Sequence, residues 1–485
     1  MTIQKEFYVR LTKDGQKYKS HQISWDNNFD EKPEENNEEN AEVKEDPKDN
    51  GFHKIHAEFS NSMFGYNDIL PLIATFAPLI TQGIQQKSIA TFLNKNCIKK
   101  VETDKNDDYT VSLEKFGEFK NIIDSQKTSA HVSKQVPKML TIGIVSSLEH
   151  HIVLLMREIL KVKPYIIEDS EKSISIKDVF GAGGTEKFKE KMIEKEIDGV
   201  MRSNIAEQIK WVERHTDSKS PISKNYDRWD QLLEIVERRN LFVHANGVVN
   251  DIYIENTKGL EFERKSKVQI GDELKAGPEY FSNVIDVILE FGIKLTQVIW
   301  RKLFPDSSIK ADTIIGDFGF KLIERGQYEL ALRILIFATT DLKGAKEVAR
   351  DLINKINLAN CHKLLGEDKK CEILLAEEDW ASKSDNFLIC SMAIRGDAPA
   401  VAEKMSALVH NEDWDESNYE QWPVFYHVRD DECVKTKFQE IYGRTLTPMK
   451  KTKNSIEFLE HNNIDEVTSN ELNQENVRPQ NASLQ

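Results

Sequence analysis

Apolar residues recur at helical spacing over long stretches of this chain, and that periodicity restricts the fold to a mainly α architecture. One stripe between 136 and 162 consists of Leu140, Ile144, Leu148, Ile152, Leu155 and Ile159. Another between 278 and 304 consists of Phe281, Val284, Ile288, Phe291, Leu295, Val298 and Ile299. Such spacing places each set on one helix face. Further helices are predicted over 66–94, 111–124, 185–215 and 226–244, so we expect a compact helical bundle.

Two short regions depart from this periodicity. Apolar residues at 7–9 and 22–25 flank Asp14 and Gly15, a turn dipeptide, which predicts a small hairpin over residues 1–25. The segments 252–254 and 268–270 alternate in the manner of strands, and we expect them to form a small β excursion within the bundle.

The charge of the chain is unevenly distributed. The formal net charge is -15, which is unfavourable for a general nucleic-acid binder. Residues 26–50 hold 11 Asp and Glu against 3 Lys, and an acidic disordered linker is predicted over 26–60. Residues 200–240 hold 8 Lys and Arg against 7 Asp and Glu, so any contact with RNA should be local. The tail over 447–485 is also predicted to be disordered.

Cysteine usage and hydropathy predict a cytoplasmic protein with no membrane partner. The five cysteines include no Cys-x-x-Cys pair and no zinc spacing, which favours reduced thiols and no bound metal. No secretory signal is recognised at the N-terminus. The uncharged segment 69–86 contains prolines and several Gln, so it is interpreted as a buried helix.

From residue 307 to 446 the sequence predicts stacked helix pairs. Small residues and turn glycines occur at related offsets in two units, at Gly319, Gly326, Ala331 and Ala338 and again at Ala359, Gly366 and Cys371. A third unit over 384–409 turns at Gly396, and residues 422–442 could cap the stack. This pattern resembles degenerate tetratricopeptide repeats. The alternative is an ordinary helical domain with coincidental glycines.

The residues 237–244, with sequence ERRNLFVH, carry the chemistry of greatest interest. Arg239 offers a planar cation that matches phosphate oxygens. His244 can take or give a proton near neutral pH, and Asn240 can orient either group. Asn246 and Gly247 are a helix stop signal just beyond. The motif is therefore predicted on the last turns of an amphipathic helix.

Helical geometry separates two of these groups. Asn240 and His244 are four residues apart and share a face. Arg239 and His244 are five apart, roughly 140° around the axis. They converge if the arginine side chain sweeps round, if the helix end distorts, or if a second copy of the motif faces the first.

Taken whole, the Arg-Asn-x-x-x-His pattern resembles the HEPN superfamily, most clearly over 136–304. The resemblance implies a HEPN-like helical bundle over 61–306, many of whose relatives are metal-independent endoribonucleases in toxin or antiviral systems. It implies that a ribose 2′-hydroxyl attacks the adjacent phosphorus without a cofactor, with Arg239, Asn240 and His244 as the catalytic groups. Glu237 and Arg238 are possible supporting residues.

The same resemblance implies partners. HEPN sites are usually composite across a two-fold axis, so a homodimer acting on RNA is expected. The helical repeats would then sense a protein or phage-derived trigger. The alternative is a non-catalytic scaffold in which the bundle dimerises and the repeats bind proteins. The net negative charge modestly favours that alternative.

Other candidate groups have plainer interpretations. The glycine-rich loop at 181–184 lacks the ending of a phosphate loop and is interpreted as a flexible connection. Glu149, His150 and His151 do not form a zinc helix. One of the three could face the motif across the bundle, but their spacing favours a solvated or capped role. Trp211, with basic neighbours, could stack a base but is more readily a core residue.

Overall fold

The structure is a computed structural model that describes the backbone of residues 8–14, 17–24, 51–78, 84–102, 107–168, 184–216, 221–342, 347–409, 411 and 414–447. These residues are mainly helical, which confirms the predicted class at that level. The chain divides into compact units, with Phe52–Asn354 in one and Lys355–Lys450 in the other. The disorder predicted over 26–50 and from 448 onward falls outside the described residues.

The unit Phe52–Asn354 is a bundle built around one very long helix. Its helices are Phe52–Pro78 (α1), Ile84–Asn96 (α2), Phe116–Val162 (α3), Tyr165–Glu168 (α4), Thr185–Met201 (α5), Ile205–His215 (α6), Ile222–Asn225 (α7), Trp229–Ala245 (α8), Asp251–Thr257 (α9), Glu261–Lys265 (α10), Pro278–Leu303 (α11), Ser308–Glu324 (α12) and Tyr328–Ile336 (α13). A π-helical turn at Phe337–Asp341 extends α13. Short 3₁₀ turns occupy Leu113–Lys115 and Pro305–Ser307.

Helix α3 is the element against which the others pack. It is 47 residues long and contains Pro137, so the two helices predicted over 111–124 and 136–162 are one continuous element. Helices α1, α8 and α11 pack against it. The predicted stripe is confirmed over most of its length, since Ile144, Leu148, Ile152, Leu155 and Ile159 are fully buried. The segment 135–162 also has the length and composition to cross a membrane, a test that buried core helices pass as well.

Helix α1 begins earlier than the sequence suggested. Phe52 is fully buried, and its ring stacks on Trp300 of α11 with 5.7 Å between the centroids. The predicted linker over 26–60 is therefore wrong from residue 52 onward, because an aromatic anchor fixes the start of the bundle there.

The strands form two hairpins. Tyr8–Asp14 (β1) pairs antiparallel with Lys17–Ser24 (β2), which confirms the N-terminal hairpin. Cys97–Glu102 (β3) pairs antiparallel with Asp107–Val111 (β4), a hairpin that the sequence analysis missed.

The β excursion predicted at 252–254 and 268–270 is wrong. Residues 251–257 form α9, because the side chain of Asn250 caps the helix by accepting from the Tyr253 backbone N–H at 2.9 Å. Ile252 is exposed and Tyr253 is buried, because neighbouring residues of a helical turn point to different sides of the helix. A single β-bridge joins Val248 to Glu273 nearby.

The predicted helix pairs after residue 307 are present, while their tetratricopeptide identity stays a prediction. Helix Val348–Leu364 (α14) crosses the boundary into the unit Lys355–Lys450. The further helices of that unit are Asp368–Ala376 (α15), Asp385–Arg395 (α16), Ala398–Leu408 (α17), Glu416–Gln421 (α18) and Glu432–Tyr442 (α19), with 3₁₀ turns at Trp380–Ser382 and Pro423–His427. Gly326, Gly366 and Gly396 each turn between paired helices with φ of 74°, 75° and 78°.

The first of these pairs, α12 with α13, groups with the bundle. The division therefore falls between residues 354 and 355, whereas the sequence placed it between 306 and 307. Gly319 lets the two helices approach closely, since a Cβ there would lie 2.6 Å from a methyl group of Leu335. In the predicted cap over 422–442, Phe425 and Phe438 are fully buried.

Two buried histidines make the bundle sensitive to acid. His56 on α1 and His151 on α3 are both almost completely buried. Burial lowers the pKa of His56 to about 4, with a contribution from Lys321, and lowers the pKa of His151 to about 3. Since an unfolded histidine titrates near pH 6.5, the unfolded chain binds more protons below that pH. The free energy of unfolding should therefore fall as the pH drops from 6.5 towards 4.

We predict that His151→Gln makes this pH dependence shallower. Each buried histidine contributes about 1.4 kcal/mol per pH unit to the slope, and the variant removes one of them. Urea unfolding of the wild type and the variant between about pH 6 and about pH 5 measures the difference. Ser146→Gln, at an exposed position of the same helix that carries no titratable group, is the control and should leave the slope unchanged. Equal slopes for wild type and His151→Gln would contradict the assignment.

Candidate active site

The motif occupies the end of α8, as predicted. The helix runs from Trp229 to Ala245, and Asn246 ends it in the left-handed conformation with φ of 49°. Asn246 is the one non-glycine residue with positive φ in the described part of the chain, and Gly247 follows with φ of 87°. The Asn-Gly stop therefore works through backbone conformation, because asparagine and glycine tolerate this region best.

A buried lysine from α3 holds this helix end in place. Lys138 Nζ donates to the backbone oxygen of Asn246 at 2.7 Å and lies 3.4 Å from its Oδ1. It also pairs with Glu273 at 3.2 Å, while Gln135 Nε2 donates to Asn246 Oδ1 at 3.1 Å. Lys138 is only 5% exposed. A cation at a helix C-terminus stabilises the aligned carbonyl dipoles, so the position of the motif is fixed from α3.

Arg239 faces α3 and forms an ion pair there with Glu149. The guanidinium side chain is 18% exposed and the carboxylate 31%. The bond uses Nη2 of Arg239, while its Nε is buried without a hydrogen-bond partner. Of the three residues at 149–151, Glu149 is therefore the one that reaches the motif across the bundle, whereas the sequence favoured a solvated or capped role for them.

Asn240 and His244 lie on the outward side of the same helix. Asn240 is half-buried and His244 is exposed. Among the described residues, His244 makes no hydrogen bond, ion pair or ring contact. Arg239 points to α3, whereas His244 lies roughly 140° further round the axis. Within one chain the three groups therefore do not surround a single point.

The two supporting candidates have structural partners. Arg238 is buried, its Nε donates to Glu234 at 2.6 Å, and its guanidinium covers the rings of Tyr280 at 4.0 Å and Phe262 at 4.9 Å. These contacts take the cation into the core and away from a flanking phosphate, so the suggested supporting role does not fit its position. Glu237 is half-buried and accepts from Asn256 Nδ2 at 2.9 Å, without an ion pair to Arg238.

The remaining candidates contribute little to this site. Trp211 is 8% exposed and its Nε1 donates to Glu196 at 3.3 Å, so its ring serves the core rather than a base. Residues 181–183 of the glycine-rich loop lie outside the described residues, and Gly184 directly precedes α5. No group of three or more His, Cys, Asp or Glu suited to a metal occurs among the residues that the structure describes.

An apolar rim surrounds the exposed end of α8, and sequence analysis did not predict it. We define this rim as Val243, Val248, Ile252 and Ile270, which are 48%, 43%, 68% and 61% exposed. Backbone hydrogen bonds connect its loops, since Gly271 N donates to the Val249 oxygen at 2.9 Å and Leu274 N to the Gly247 oxygen at 2.8 Å. Because the sequence analysis placed Ile252 in a strand, it did not predict that this side chain is exposed to solvent.

Gly247 is predicted to be the most sensitive backbone position at this end of the helix. An added Cβ would lie 2.8 Å from the Leu274 oxygen and 3.3 Å from Lys138 Nζ. Gly259, with φ of 83° and open space around it, is a matched control. Gly259→Ala should cost about 1–2 kcal/mol of unfolding free energy for positive φ alone. Gly247→Ala should cost at least about 1 kcal/mol more because of the contacts. Equal losses in urea unfolding would contradict the close packing.

Comparison of the chain with protein-family models, with curated proteins and with solved structures finds no match. The geometry of α8 and its surroundings is therefore the basis on which a function is inferred.

Proposed function

We propose that this chain is a metal-independent endoribonuclease of the HEPN type that acts as a homodimer. In this proposal the unit Phe52–Asn354 contains the HEPN-like domain, and the later helix pairs are tetratricopeptide-like repeats that respond to a protein trigger. The observation that carries the proposal is that the imidazole of His244 is exposed, with no partner in the described part of the chain, at a helix end to which Lys138 donates a hydrogen bond.

The chemistry follows from the residue types. His244 acts as the general base or acid, since imidazole exchanges protons near neutral pH. Arg239 binds the scissile phosphate and stabilises the additional negative charge of the transition state. Asn240, one turn before His244, orients the imidazole or a phosphate oxygen. The resemblance to the HEPN superfamily implies products with a 2′,3′-cyclic phosphate and a 5′-hydroxyl.

The ion pair between Arg239 and Glu149 defines the resting state in this proposal. An incoming phosphate competes with the carboxylate for the guanidinium. A partly exposed pair of this kind contributes only about 0–1 kcal/mol to stability, so exchange of one anion for another is energetically accessible.

A second copy of the chain completes the site. Because Arg239 and His244 point in different directions on one helix, Arg239 of one protomer acts with His244 of the other across a two-fold axis. The apolar rim around His244 supplies surface for such contact, since exposed apolar patches commonly mark interfaces.

A non-catalytic scaffold is the second candidate, and one observation favours it. Glu149 neutralises Arg239 in the isolated chain, as expected if the arginine serves packing between α3 and α8. In that case α8 would still provide a dimerisation surface, while His244 would have no chemical role.

RNA cleavage distinguishes these functions. We predict that the purified protein cleaves total RNA in EDTA, and that His244→Ala lowers the rate about 10²–10⁴-fold, because proton transfer contributes that much. Fragment ends can be identified by mass spectrometry. His150→Ala, which removes another exposed histidine from the same unit, is the control and should retain activity. If His244→Ala and His150→Ala are equally active, the nuclease proposal fails. RNA that stays intact at high protein concentration supports the scaffold, unless the trigger proposed for the helix pairs is required for activity.

Mixing two inactive variants tests the composite site. Arg239→Ala and His244→Ala homodimers should each be inactive, but a heterodimer holds one complete site. After subunit exchange at equal concentrations, half of the dimers are mixed and each has one of two sites, so about a quarter of wild-type activity should return. Failure to recover activity, despite exchange measured by native mass spectrometry, would place Arg239 and His244 in one protomer or remove Arg239 from the mechanism.

A further inference from the structure

A cavity between α1 and α3 lies apart from the motif residues. It has a volume of about 390 Å³, and its walls include Glu58, Phe59, Tyr66, Ser147 and His151. None of Arg239, Asn240 and His244 lines it. Its volume falls in the range of small-molecule sites, which begins at about 300 Å³.

The hydrogen bonds of His151 leave one ring nitrogen unused. Nε2 lies 2.8 Å from Thr296 Oγ1 and 3.2 Å from the backbone oxygen of Gly292. The Thr296 hydroxyl donates to that same oxygen, so Nε2 must carry the proton that the two oxygens accept. Burial keeps the pKa of His151 at about 3, and the ring is neutral at pH 7. Nδ1 is therefore a bare acceptor, buried and without a partner.

The Tyr66 oxygen and the Glu58 carboxylate on the cavity wall can also accept hydrogen bonds from a ligand. Ser147 Oγ donates to the Gly143 oxygen at 3.1 Å, so the 3.5 Å contact with Tyr66 uses the tyrosine proton. The lone pairs of the Tyr66 oxygen stay available. Gly143 allows this arrangement, since a Cβ there would lie 2.9 Å from the tyrosine oxygen. Glu58 is exposed and forms no ion pair among the described residues.

The charge of the wall excludes anionic ligands. No lysine or arginine occurs among the described residues that line the cavity, and Glu58 provides its one permanent charge. Phosphates and carboxylates would meet an unpaired carboxylate without a compensating cation. The acceptors at His151 and Tyr66 suit a ligand rich in donors, and the buried Nδ1 of His151 is costly to leave unpaired. The aromatic ring of Phe59 adds an apolar surface suited to methylene groups.

We propose that this cavity binds a small organic cation that bears a primary ammonium group. The ammonium group donates to Glu58 and to the acceptors of the wall, and the aliphatic part lies against the apolar residues. A linear diamine fits the gap between two helices. The proposal is independent of RNA cleavage, since it uses no residue of the α8 motif.

The test is calorimetric titration of the full chain with 1,4-diaminobutane at physiological ionic strength. We expect saturable binding with a Kd below about 1 mM. The uncharged 1,4-butanediol, of similar length, should not bind. Glu58→Gln should weaken binding about tenfold, because a charge-assisted hydrogen bond becomes a neutral one. Glu114→Gln removes the same charge outside the cavity and should leave the Kd unchanged.

A second variant blocks the cavity without removing its acceptors. Ser62 lines the cavity on α1 and is exposed, so Ser62→Trp should abolish diamine binding while thermal unfolding stays within about 3 °C of wild type. If that variant unfolds, the Glu58→Gln result decides alone. Absence of diamine binding, binding that both glutamate variants weaken equally, or binding that survives in a folded Ser62→Trp would each overturn the proposal.

Discussion

The attachment of α8 to α3 is the constraint on which the candidate active site depends. Lys138 holds the last backbone carbonyl of the motif helix, and Glu149 holds Arg239 about three turns further along α3. Both contacts come from one continuous helix, and its fully buried stripe at 144–159 anchors that helix in the core. The core of the bundle therefore determines where a short surface motif ends and which way it faces.

This attachment also separates the motif into two electrostatic environments. Arg239 is half-buried beside the carboxylate of Glu149, whereas His244 is exposed near the helix end that Lys138 contacts. In the proposed homodimer, a phosphate reaches both groups at a surface composed of two copies of the helix end. In that arrangement the exposed apolar rim would contribute to the contact between the two copies.

Local sequence predicted those features that depend on near neighbours. The Asn246-Gly247 stop and the buried stripe of α3 were visible because conformation and periodicity act within a few residues. The strand predicted at 252–254 was wrong because alternation over three residues does not distinguish a strand from a helical turn. The side chain that caps the helix belongs to Asn250, which lies just before the segment. The pairing of Glu149 with Arg239 spans 90 residues. Nothing local selects Glu149 over its histidine neighbours.

One turn of α3 connects the candidate active site with the cavity. Glu149 faces α8, His150 lines the cavity at the surface, and His151 is buried against Gly292 of α11. Successive residues of a helix point roughly 100° apart, so Glu149 faces α8 while His150 and His151 both line the cavity, one at its surface and one in the core. Since the backbone of this turn is held by the buried residues Leu148 and Ile152 on either side, its position is common to all three. A ligand seated between α1 and α3 would thus contact the same rigid turn that carries the partner of Arg239.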